Sequence, residues 1–278
     1  MNFFYENDLS SLIQFVNDNN NFCRVLEREN ANFVIYNEVL QNLGKNGNQQ
    51  LKSISKSLVG NSKAIIFIID DYEKRYTHFP NLILLRTSVR KSIIRTNEIA
   101  LPYLWDNAST NFKISSTSIM PLVGFCGFIS KHRKKIVAVF ENSKNVQCNF
   151  IIQKDFWGGK PHDIDLVKLF NDNLNTNQYI LCNRGKGNFS MRFYQTLACG
   201  RVPVLVDTDI ELPFKNIINW DQILILKKTE KACLQAVLDD HKKNGFIERQ
   251  RKAIFIFNEY FSKENYFNQL IAHHLTAL

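Results

Sequence analysis

The chain lacks several things that would have classified it at once. Its six cysteines (Cys23, Cys126, Cys148, Cys182, Cys199 and Cys233) are scattered over 278 residues without a CxxC pair. Several stand inside apolar runs, the setting of buried thiols, which argues for a reducing compartment and against a disulfide scaffold or zinc site. The longest purely apolar run, Ala64 to Ile69, is far too short to cross a bilayer. MNFFYENDLSSL has neither the basic start nor the sustained apolar stretch of a signal peptide. No GxGxxG and no GxxxxGK[ST] occurs, which argues against a dehydrogenase or a P-loop nucleotidase. No His/Asp/Glu grouping has metal-ligand spacing, and neither repeats nor low-complexity tracts are found.

What is present is an ordinary globular composition with a basic balance. Hydrophobic residues make up 45% and charged residues 22%, and the net charge is +9. That charge suits a nucleotide-sugar binder, a nucleic-acid binder or a protein resting on an anionic membrane. No aromatic-basic module supports the nucleic-acid reading, so no nucleic-acid partner is expected. With no transmembrane segment, membrane association is at most peripheral.

Along the chain, strands and helices alternate. Asp8–Val16 has helical periodicity, and Asn32–Tyr36 reads as a strand. Asn48–Leu58 reads as a helix with Leu51, Ile54 and Leu58 on one side. Lys63–Ile69 is apolar on both faces, as a central parallel strand would be, and it ends in Asp70-Asp71. Leu82–Leu85 and Ile99–Leu101 follow as strands. The polar, aperiodic stretch Trp105–Ser118 marks a domain boundary, giving residues 1–115 and 116–278 as two α/β units. Ligands of such sheets meet the carboxyl ends of strands, which makes Asp70, Asp71 and His78 candidates for chemistry.

In the second unit, Met120–Phe125 reads as a strand running into Gly124-Phe125-Cys126-Gly127 and the basic helix start Lys131–Lys135, a plausible phosphate site. Cys148–Ile152 is the next strand. The FWGGKPHD loop offers Trp157 and His162 to a sugar, and a helix from Asp165 follows it. Tyr179–Cys182 then leads through Asn183-Arg184-Gly185-Lys186-Gly187-Asn188 to a helix capped by Ser190 and closed by Gly200. Arg201–Val206 is the next strand, with Asp207 and Asp209 just past its end. A strand, a glycine-bearing loop and a helix start favour an anion, and Arg184, Lys186 and Arg192 add charge there. Ile223–Leu226 and three helical stretches complete the chain.

The order of residues adds to this. From Arg184 to Phe214 the chain reads RGxGNFSxRFYxTLxxGRxPVxxDTDxxLPF, which resembles the C-terminal signature of the exostosin-like glycosyltransferases, family 47. Asn149–Ile152 and Phe156–Asp163 look like bacterial and viral members, and the likeness is good from Leu122 to Trp220. The resemblance implies a GT-B-like fold, two Rossmann-type domains facing a central cleft with C-terminal helices. It also implies an inverting transfer from a UDP-sugar (xylose, galactose, glucuronic acid or similar) to a hydroxyl of a glycan acceptor. Members of this architecture generally need no metal, so neither metal nor cofactor is expected. Asp207-Thr208-Asp209 has the letters of a DxD motif but reads as a loop or sugar contact. The donor would lie against Arg133, Arg184, Gly187, Asn188, Ser190, Arg192, Gln195, Asp207 and Asp209. The general base would come from the first half, with Asp71 ahead of Asp70 and His78. Eukaryotic members usually carry a signal anchor, so its absence points to a cytoplasmic bacterial or viral enzyme. The family usually has Glu where this chain has Gln195. That departure leaves open an inactive nucleotide-sugar or polyanion binder.

Overall fold

Two all-parallel sheets carry the chain. The computed structural model describes residues 33–36, 38–58, 63–103, 112–160 and 163–275. The helix expected over Asp8–Val16, Cys23, His162 and the first part of the expected linker lie outside these residues. The first half contains β1 (Phe33–Ile35), β2 (Leu40–Gln41), α1 (Gly47–Ser57), β3 (Lys63–Ile69), β4 (Leu82–Arg86) and β5 (Glu98–Ala100). Its strands lie in the order β1-β3-β4-β5, with β2 paired to the carboxyl end of β3. β3 is buried on both faces because it is central, as its unbroken apolar run requires. Ala64, Ile66, Ile68, Leu82 and Leu84 pack towards Leu51 and Ile54 of α1.

The second half contains β6 (Leu122–Phe128), α2 (Lys131–Glu141), β7 (Gln147–Gln153), α3 (Ile164–Thr176), β8 (Tyr179–Leu181), α4 (Met191–Ala198), β9 (Val202–Val206), β10 (Ile225–Lys227), α5 (Glu230–Lys242), α6 (Gly245–Ile256) and α7 (Lys263–Leu270). Its strand order is β10-β9-β8-β6-β7, all parallel. The order reverses at β6, so the crevice between the carboxyl ends of β6 and β8 is the topological switch point, where ligands of such sheets bind. Gly200 stands after α4 at φ +58°, the C′ position its sequence context predicts. The strand expected over Met120–Phe125 begins at Leu122 and runs on through Gly127 to Phe128.

The halves share one core. Ile65, Phe67, Ile69, Ile83, Leu85 and Ile99 project from the first sheet, opposite α1. They meet Phe193, Tyr194 and Leu197 of α4 together with Phe257, Phe261, Tyr266 and Leu270 of the terminal segment. The terminal helices therefore serve both halves. Residues 112–115, expected as the end of the first domain, are bound to the second half. Ser115 donates its amide to Gln250 Oε1 at 2.9 Å, and Arg201 donates to Lys113 O at 3.1 Å and to Asn175 O at 2.9 Å. No helix among the described residues is long and apolar enough to cross a membrane.

Candidate active site

Two arginines meet at the switch point. Arg133 is the one buried residue of the basic helix start, with Lys131, His132, Lys134 and Lys135 exposed. It donates from Nε to Asn183 O at 3.2 Å and from Nη1 to Phe128 O at 2.9 Å. Arg192, in the first turn of α4, donates from Nη2 to Cys126 O at 2.6 Å, and its guanidinium lies 4.5 Å from the centroid of the Phe125 ring. Gly127 is glycine because of this approach: its φ is +141°, and a Cβ there would stand 2.6 Å from Arg192 Nη2. Neither arginine has an ion-pair partner among the described residues. Burial, and then the neighbouring Arg192, push Arg133 down to about 9; burial lowers Arg192 as well.

Polar atoms without partners cluster here. Ten buried side-chain N or O atoms of the described residues lack a hydrogen bond; four of them, Ser190 Oγ, Arg192 Nε, Arg192 Nη1 and Gln195 Nε2, belong to the cap and first turns of α4. Each such orphan costs about 1–3 kcal/mol, and more when charged, so the cluster is built for something that bonds to it. Ser190 has the extended backbone of an N-cap, but its hydroxyl does not close the helix. Gln195 lies one turn beyond Arg192, on the same side of α4.

The loop before α4 ties the two halves together. The Arg184 guanidinium reaches across to Glu73 of the first half and also donates to Lys186 O at 2.7 Å and Asn188 Oδ1 at 3.2 Å. Asn188 gives its backbone N–H to Ser88 Oγ at 2.9 Å and its side-chain amide to Val89 O and Asp209 O, both at 3.2 Å. The Asn188 backbone amide is thereby committed to the first half. Asp207 pairs with Lys91 at 2.6 Å, and Asp209 accepts from Ser92. Burial would raise the Glu73 carboxyl, but its bonds from Arg184 and Arg90 outweigh this and hold it below its ordinary value. Burial likewise opposes, and Lys91 with the Asp209 N–H overcomes, in lowering Asp207. Arg184, Asn188, Asp207 and Asp209 thus latch the halves together beside the crevice.

The three candidate bases separate clearly. Asp70 is buried, accepts from Tyr76 Oη at 2.5 Å and from the Tyr72 N–H at 3.2 Å, and burial raises its carboxyl. It is enclosed and hydrogen-bonded in the interior of the first half. His78 is exposed and bonds Asn97 Oδ1 at 3.2 Å; Asn97 in turn donates to Leu82 O, at the amino end of β4. His78 therefore sits a full strand length from the cleft, and the carboxyl-end rule does not reach it because the long loop after β3 returns to the far edge. Asp71 alone faces the second half. Its side chain is 42% exposed, 4.0 Å from Lys186 Nζ. It closes on Gly187 so tightly that a Cβ there would stand 2.6 Å from Asp71 Oδ1.

Sequence reasoning missed the loop 87–92, Glu73 and Tyr103. The loop follows the carboxyl end of β4, so the same strand-end rule that singled out Asp71 could have found it. Tyr103 stacks on Phe189 with centroids 5.0 Å apart, and burial, then the nearby Asp71, push its hydroxyl well above the ordinary value.

Comparisons with known proteins show the family. The exostosin GT47 domain model matches residues 69–232, more than half of the chain. Exostosin-1 of Mus musculus is 27% identical over 95 residues, 34% of this chain and 13% of its own length. A probable glycosyltransferase of Arabidopsis thaliana is 22% identical over 140 residues, 48% of this chain and 27% of its own length. The matched segments thus span under a third of either relative. Among solved structures, a mutant of S. aureus TarM in complex with fondaparinux, alpha-GlcNAc-glycerol and UDP aligns with a TM-score of 0.40 at 12% identity, covering 75% of this chain and 55% of that one. Likeness at that level decides nothing; the two-domain GT-B-like architecture is carried by the paired parallel sheets and their shared terminal helices. On the extent of the domain match, together with the Arg184–Phe214 signature at the switch point, this chain belongs to the exostosin GT47 family.

Proposed function

We propose that the chain transfers a sugar from a nucleoside diphosphate, of the UDP-sugar class, to a hydroxyl of a glycan acceptor, with inversion at the anomeric carbon. The observation that carries this reading is the pair of buried arginines at the switch point, with no acidic partner among the described residues and with orphaned Nε and Nη1 atoms on Arg192. A diphosphate supplies the missing acceptors and the missing charge, and its bonds to guanidinium are of the stronger, charge-assisted kind. As the C1–O bond to the diphosphate breaks, negative charge grows on the leaving group, and preorganised cations stabilise it there. Asp71, on the opposite wall, takes the acceptor hydroxyl proton while the acceptor oxygen bonds to C1. The nucleoside diphosphate leaves, and the proton stays on Asp71 until solvent removes it. Ser190 and Gln195 would hold the donor's hydroxyls.

Two outcomes are expected. Arg192→Ala weakens UDP binding about 10- to 150-fold, the equivalent of roughly 1.5–3 kcal/mol for hydrogen bonds to a charged group. Titration calorimetry on a variant shown to be folded measures this, and unchanged affinity removes Arg192 from the site. Turnover with UDP-sugars continues in EDTA, because the charge of the leaving group falls to arginine and not to a metal. Complete loss of activity in EDTA, restored by manganese, refutes that part. The rival reading, an inactive nucleotide-sugar binder, draws on Gln195, an amide that cannot serve as a base. It predicts tight UDP binding with neither transfer nor donor hydrolysis.

A further inference from the structure

Beside the arginine pair, at the carboxyl ends of β6 and β7, an aromatic surface is left uncovered. Phe128 ends β6, and its ring lies 4.6 Å from that of Phe156, with 32° between the planes. Phe156 is 46% exposed. Ile152, Ile164 and Val167 are also exposed, at 45%, 83% and 39%. The two arginines are joined to this surface through the backbone. Phe128 O accepts from Arg133 Nη1 at 2.9 Å, and the preceding residue, Gly127, is the one pressed against Arg192. Gln153 pairs in register with Phe128 at the end of β7.

From this juxtaposition we propose that Phe128 and Phe156 are the stacking platform for the base of the nucleoside diphosphate. A ligand whose diphosphate lies on Arg133 and Arg192 carries its base one ribose away, and the aromatic pair is the flat apolar surface joined to both arginines through Gly127 and Phe128. Cation and ring side by side match the two chemical ends of one molecule. A purely apolar partner would leave the arginines unmet, and a simple anion would leave the rings in water. The inference rests on the diphosphate reading above and names the part of the ligand that reading leaves unplaced.

Titration calorimetry with the full chain tests it, using UDP and inorganic pyrophosphate as separate probes. Phe156 is exposed, so Phe156→Ala leaves the core untouched. The variant should lose about tenfold to a hundredfold in UDP affinity, the usual effect of removing one base–aromatic stack. Its pyrophosphate affinity should equal the parent's, and Phe156→Tyr should bind UDP as the parent does. UDP affinity within twofold of the parent in Phe156→Ala overturns the platform, and so does an equal loss for both probes. If the parent binds pyrophosphate but gains nothing from the uridine of UDP, the platform is also wrong while the anion site stands. If the parent binds neither probe, the diphosphate reading fails, and the platform fails with it.

Discussion

Asp71→Asn is expected to lower kcat by about 10²–10⁴ while leaving UDP affinity within about twofold of the parent. The expectation comes from position. Asp71 is the first residue to leave the carboxyl end of the central strand β3 on the cleft side, and it closes directly on Gly187 of the loop leading to α4. The neighbouring carboxylate is no substitute, because Asp70 is enclosed by Tyr76 and the Tyr72 amide. Asparagine keeps the size and some of the hydrogen bonding of Asp71 but takes no proton. Steady-state kinetics with a UDP-sugar, paired with UDP calorimetry, separates a base from a binding residue. If Asp71→Asn turns over like the parent, the base lies elsewhere.

Glu98→Ala should cost about 3–5 kcal/mol of stability, because it strands a buried cation. Arg86 and Glu98 pair at 2.9 Å with side chains only 0% and 2% exposed. The same guanidinium donates to Tyr72 O at 2.8 Å and Lys74 O at 2.9 Å, and it lies over the Tyr76 ring. Arg86 therefore fixes the loop that carries Asp71 and Glu73. A fall in Tm of roughly 6–15 °C is expected, accompanied by loss of activity below the melting range as the loop loosens. Glu98→Gln, which keeps an acceptor, should fall less. A Tm within 2 °C of the parent for Glu98→Ala would show that water or a shifted side chain compensates the cation.

Much of the fold was readable because the strands are buried on both faces. Lys63–Ile69 appears in the sequence as an unbroken apolar run and in the structure as the central strand of its sheet, with the same ends. The helix after Ser190 and the αL glycine at Gly200 were set by local chemistry and appear where expected. What local chemistry does not encode is which loop meets which. Arg184, Asn188, Asp207 and Asp209 carry groups that suit a donor, and only the fold reveals that loop 88–92 arrives first to bind most of them. The reason for glycine at position 127, the approach of Arg192, is distant in sequence and so not legible there. The buried Arg86–Glu98 pair gave no sequence signal, since its partners sit on adjacent strands joined by a long connection. The arginine pair at the switch point was half visible: both residues stood out as cations near helix starts, but their lack of an acidic partner among the described residues is a property of the packed structure.

The central claim is that the crevice between the carboxyl ends of β6 and β8 takes the diphosphate. A crystal structure of the chain soaked with UDP tests it most directly. The account predicts phosphate oxygens within hydrogen-bond distance of the Arg133 and Arg192 guanidiniums, with Arg192 Nε and Nη1 newly bonded. UDP bound in full occupancy elsewhere, with Arg192 Nε and Nη1 still unbonded over the Phe125 ring, would contradict it.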